Sequence, residues 1–93
     1  MEEIVDINRE LMLDGNAAAG ALQEIFGVEM TTAFTECAHC GNEGQMGTLL
    51  AFTRGPGIVL CCSACEKVMI RIVQTPGGTY LDARGAVYVK IER

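Results

Sequence analysis

The sequence predicts an α+β domain, one short helix followed by a small antiparallel sheet. Three observations predict it. A stripe of small and apolar residues at helical spacing lies within residues 15–26. After Gly27 the chain changes to short alternating runs broken by Gly/Pro turns. Two Cys-x2-Cys pairs stand 21 residues apart, one on either side of an expected hairpin.

Each element has a local reason. Residues 1–12 form a lead-in: Ile4, Ile7 and Leu11 have helical spacing, but no cap precedes them. Asp14 has the chemistry of an N-cap, and Ala17-Ala18-Ala19 favours helix. Ala18, Ala21, Leu22 and Ile25 fall on one stripe, and Gly27 suits the left-handed cap that ends a helix. Val28 to Glu36 reads as extended, and 47–53 reads as a strand. Gly55-Pro56-Gly57 then turns the chain, and 58–61 returns as a strand. In 67–73, Val68, Ile70 and Ile72 are expected on one side, opposite Lys67, Met69 and Arg71. A turn at 75–78 leads to a strand from Thr79 to Leu81, and a second turn follows at 82–85. Val87, Val89 and Ile91 then alternate with Ala86, Tyr88 and Lys90. Residues 13–93 are read as one domain.

The hydrophobic content of 49% excludes a wholly disordered chain. Aromatic residues are only 5%, with no Trp, so the core of this 93-residue chain needs another staple. Five cysteines, an odd number, fit a reducing compartment better than a secreted disulfide scaffold. No apolar run reaches membrane-spanning length, and the start Met1-Glu2-Glu3 is acidic where a secretory leader is basic. The expected location is cytoplasmic.

The pairs Cys37-x2-Cys40 and Cys62-x2-Cys65 have the spacing of metal ligands. Each tight turn presents two thiolates on one side, and two turns complete a tetrahedron. This is the sequence form of a zinc ribbon, so the full expectation is an N-terminal helix packed on a small antiparallel zinc-ribbon β-sheet. Zinc suits four thiolates, with iron as the alternative. Structural zinc contributes about 10 kcal/mol at neutral pH, comparable with a whole domain's stability. Metal removal is therefore expected to unfold at least 35–73. Gly41 suits the first turn, and Glu66 stands at the matching place in the second. Cys61 offers a looser Cys-x3-Cys pairing with Cys65; the tighter pair is favoured, leaving Cys61 as a small apolar strand residue. His39, inside the first turn, is expected at an exposed tip.

Four thiolates leave no open coordination position, and no acid–base pair is visible, so an enzyme is not expected. Asp14 and Asp82 read as cap and turn residues, and Met12, Met30, Met46 and Met69 as packing. Lys67, Arg71 and Lys90, with Tyr80 and Tyr88, read as a solvated sheet face. Residues 1–45 carry nine acids and one base, whereas 46–93 carry three acids and six bases, and the total is −5. That sum disfavours a general nucleic-acid binder.

The motifs Leu13-Asp14-Gly15-Asn16-Ala17, Ile25-Phe26-Gly27-Val28-Glu29-Met30-Thr31, Cys37-x2-Cys40-Gly41, Gly55-Pro56-Gly57-Ile58-Val59-Leu60, Cys62-x2-Cys65 and Leu81-Asp82-x-Arg84-Gly85 follow one another in order. In this the chain resembles a small uncharacterised bacterial family of the zinc-ribbon type over about residues 13–91. The resemblance implies Cys62 rather than Cys61 as ligand. The chain departs from it at Cys61-Cys62-Ser63-Ala64-Cys65, where the family tends to have Arg-Cys-Pro-x-Cys. The leading expectation is a metal-stabilised accessory module with a protein partner, met through the helix Asp14–Phe26 or the Gly55–Gly57 tip. The alternatives are a rubredoxin-like iron electron carrier and a nucleic-acid-binding regulator.

Overall fold

A computed structural model describes residues 13–14, 18–53 and 57–91. Among these, one helix and eight short strands form an α+β fold with two antiparallel sheets. The strands are β1 (Leu13–Asp14), β2 (Phe34–Cys37), β3 (Glu43–Gln45), β4 (Leu50–Phe52), β5 (Gly57–Cys61), β6 (Val68–Thr75), β7 (Gly78–Asp82) and β8 (Ala86–Lys90). The larger sheet has the order β1-β4-β5-β6-β7, and the smaller has the order β3-β2-β8.

Helix α1 runs Ala19–Phe26, shorter than the 15–26 expected. Asp14 does not cap it: Leu13 and Asp14 pair with Ala51 and Leu50 in β1, and the N-cap is Ala18, with no side-chain bond. The strand pairing takes the residue that local chemistry offered to the helix. Residues 15–17 lie outside the described residues, as do the Met12 packing role and Pro56 of the expected hairpin tip. Gly27 ends the helix as expected. Its φ is 75°, and its N–H donates to the Gln23 carbonyl at 2.7 Å. Of the expected stripe, Ala18 and Leu22 are buried and Ile25 is half-buried, whereas Ala21 faces solvent.

The 47–53 strand is shorter than expected. Met46–Thr48 is a 3-10 turn, closed by the Thr48 hydroxyl on the Gln45 carbonyl at 2.6 Å. Its Met46 and Gly47 N–H groups donate to Ala33 and Thr31 carbonyls. The chain between α1 and β2 is a turn rather than continuously extended, with Glu29 accepting the Thr31 N–H.

The core lies between α1 and the sheets and includes Leu22, Met30, Met46, Leu60, Met69 and Ile72. No aromatic ring is among the fully buried side chains, and three methionines fill the space instead. Met69 corrects the expected alternation. The ladder pairs Leu60 with Ile70 but Cys61 with Val68, so Met69 is the extra residue of a bulge. The bulge buries Met69 beside Ile70 and leaves Val68 exposed. A second bulge pairs Glu36 with Tyr88 but Cys37 with Ala86, skipping Val87. Val87 therefore faces solvent, Ala86 and Val89 pack on the core, and Ile91 is exposed beyond the end of β8.

Candidate metal centre

Both bulges fall where a strand meets a cysteine loop. Each loop is the tight turn of its own hairpin, β2–β3 for Cys37–Asn42 and β5–β6 for Cys62–Lys67. The first pair is thus carried by the smaller sheet, not by the hairpin that carries the second pair.

The two loops share one backbone pattern. Cys37 N–H donates to Asn42, and Gly41 N–H donates to Cys37. Cys62 N–H donates to Lys67, and Glu66 N–H to Cys62, at matching distances of 2.8–2.9 Å. Both patterns need a left-handed residue before the return strand: Gly41 has φ 80°, and Glu66 has φ 64°. Backbone N–H groups then aim at sulfur. His39 N–H meets Cys37 Sγ and Ala64 N–H meets Cys62 Sγ, both at 3.3 Å. Such donors favour thiolate over thiol.

The loops bring the four thiols together. The Sγ atoms of Cys37, Cys40, Cys62 and Cys65 all lie within 4.8 Å of one another. Two cross-loop edges are short, Cys37 to Cys65 at 3.7 Å and Cys40 to Cys62 at 3.6 Å. A zinc tetrahedron with bonds of about 2.3 Å has sulfur–sulfur edges of about 3.8 Å, so the donor set fits a metal ion of that size. A disulfide needs about 2.05 Å, and all five cysteines are free.

The electrostatics point the same way. Desolvation raises the Cys62 thiol, but N–H groups of Cys65 and Ala64 and the neighbouring sulfurs outweigh it, bringing it down to about 7. The Asn42 N–H lowers the Cys40 thiol, but desolvation and the other three sulfurs push it up to about 12. Four thiols this close cannot all ionise unaided, and a bound cation would supply the missing charge.

Cys61 is buried in β5 and is not part of the cluster. Burial, then Glu66, Cys62 and Cys65, push its thiol pKa up. His39 is exposed, and its contribution to the cluster is its backbone N–H. Asp82 is the last residue of β7 rather than the first of the expected turn, and its side chain braces that turn: it accepts the Arg84 N–H at 3.1 Å and takes the Arg84 guanidinium in a two-pronged bond, at 2.7 Å on its shorter side. The expected Lys/Tyr face is split between two sheets. Tyr88 is tied to Glu43 by a 2.8 Å bond, while Tyr80 is exposed on β7.

Spacing alone did not reveal Gly85. Its carbonyl accepts the Ala38 N–H of the first loop at 2.8 Å, and its own N–H donates to Met69 beside the second. A Cβ on Gly85 would lie 2.1 Å from the Val68 carbonyl oxygen. The turn that clamps the loops together therefore accepts only glycine at that place. The available signal was the Asp82-x-Arg84-Gly85 turn.

Fold and site together define a small α+β domain whose four-cysteine cluster can hold a metal ion. The chain belongs to a family of unknown function (DUF6510), whose model matches residues 8–93. Comparisons with curated proteins and with solved structures find no match. Among the described residues no helix is long and apolar enough to cross a membrane.

Proposed function

We propose that this is a zinc-stabilised binding module, an accessory to a larger bacterial enzyme or complex in the cytoplasm, and not itself an enzyme. The carrying observation is the four-sulfur cluster with tetrahedral-sized edges, built from two hydrogen-bonded loops on different sheets. A metal there has a structural role, because it adds a fastening between the two sheets to an aromatic-poor core that spans them. Four thiolates fill the coordination shell and leave no position for water, which supports binding over hydrolysis. The same cage accepts iron, and the metal content separates the two readings.

The test is affinity capture with metal-loaded and chelated protein, followed by cross-linking. A stoichiometric protein partner held by the metal-loaded form and released on chelation is expected. Metal-loaded protein that retains no partner contradicts the proposal.

A further inference from the structure

Charge is unevenly placed on the fold. Described residues 18–53 hold Glu24, Glu29, Glu36 and Glu43 and no Lys or Arg. Residues 67–91 hold Lys67, Arg71, Arg84 and Lys90, with Asp82 as their one acid. Two of these bases meet in a groove. In the β6–β7 ladder Arg71 stands opposite Asp82, and Val73 stands opposite Tyr80, so the four share one sheet face. That face is opposite the buried Ile70 and Ile72.

With Arg84 from the following turn, these residues line a groove of about 500 Å³. A second hollow of about 260 Å³ shares Arg71, Asp82 and Arg84 and continues to His39 and Gly85 beside the first cysteine loop. Asp82 orients Arg84 by occupying its Nε and Nη2, while the Arg84 side chain stays 90% exposed. One carboxylate facing two guanidiniums leaves the groove with a net positive charge in a chain of net −5. Tyr80, 69% exposed, and half-buried Val73 supply an apolar wall at the far end.

We propose that this groove binds an extended acidic peptide segment, with a carboxylate between Arg71 and Arg84 and an apolar side chain against Tyr80 and Val73. This rests on the reading of the protein as a binding module and names the chemistry of its partner. An acidic segment satisfies the local positive charge, and its short charged stretch avoids the repulsion that a long polyanion would meet from the glutamates elsewhere. Arg71 suits the role because its planar fork meets a carboxylate two atoms at a time, while Arg84, with Nε and Nη2 held by Asp82, adds charge and its remaining N–H donors.

The test uses the full metal-loaded chain and a fluorescein-labelled peptide of alternating glutamate and valine, read by fluorescence anisotropy. The expected result is salt-sensitive binding. Arg71→Gln should weaken it by at least about tenfold, the loss expected for one charge-assisted pair. Lys90→Gln, on the other sheet, should change it by less than about twofold. Melting curves should show that both variants fold like the parent. Equal binding of the glutamine-for-glutamate peptide overturns the proposal, as does indifference to Arg71→Gln, or preferential binding of oligothymidylate. A protein partner captured equally by parent and Arg71→Gln protein would also overturn the groove while leaving the module reading in place.

Discussion

The two cysteine loops have the same backbone and different surroundings. Cys37–Asn42 grows from the smaller sheet, exposes Cys40 and His39, and turns on a glycine. Cys62–Lys67 grows from the larger sheet, half-buries its second cysteine, Cys65, and turns on Glu66, while the first cysteine of each loop is fully buried. The shared part is what a thiolate pair needs: an N–H on sulfur, a closed turn and a left-handed residue. The rest follows from which sheet carries the loop. Both loops reach the core through their first cysteine, and the first is docked in addition through Ala38 on Gly85.

The two loops should respond differently to substitution, and both should respond to acid. The largest effect is expected from Cys62→Ser, which removes a fully buried candidate ligand. With about 10 kcal/mol of metal-derived stability at stake, cooperative unfolding followed by circular dichroism should disappear. Gly85→Ala comes next, because backbone lies in the way of the new Cβ. It should cost about 3 kcal/mol in a denaturant titration and loosen the first loop first. Acid acts on both loops. Cys40 keeps its proton up to about 12 in the metal-free cluster, so a metal ion must displace it. Apparent zinc affinity should therefore fall by at least about tenfold per pH unit on acidification from pH 7.5, as a competition titration would show.

Smaller effects should differ in sign between the loops. Gly41→Ala should destabilise by about 1–2 kcal/mol, the cost of a side chain in left-handed backbone. Glu66→Gly, at the equivalent place, should stabilise by about 0.5–1 kcal/mol, since relief of that strain exceeds the entropy cost of glycine. Equal signs would mean that the loops are not equivalent. The smallest effect is at the exposed turn. Arg84 bonds hold the Asp82 carboxyl down at about 2, through its side chain first and its N–H second. The lowered value favours the fold above pH 4, and that small gain is lost as pH falls through 2. Arg84→Gln should return the carboxyl toward about 4, measured by NMR titration.

The cysteine cluster was legible because each half of it is local: two thiols three residues apart, closed by one turn. The helix end was legible for the same reason, through Gly27. The helix start was not, because Asp14 is locally a better cap than a strand residue, and only the pairing with Leu50 overrides that preference. The division into two sheets was not legible either. It depends on β2 meeting β8, whose partners Thr35 and Val89 are far apart in sequence. Alternation failed at Met69 and Val87 because each is the extra residue of a bulge, and one inserted residue changes the side that its neighbours face. Those bulges sit beside the cysteine loops, so the local pattern breaks where the site is built.

A metal held by Cys37, Cys40, Cys62 and Cys65 would join the two sheets. The most direct test is elemental analysis of protein purified without added metal, with a thermal melt of the same sample before and after chelation. One zinc per chain is expected, with loss of the cooperative melt on chelation and its return when zinc is restored. Protein free of zinc and iron that melts cooperatively, unchanged by chelator, would mean that no metal joins the sheets.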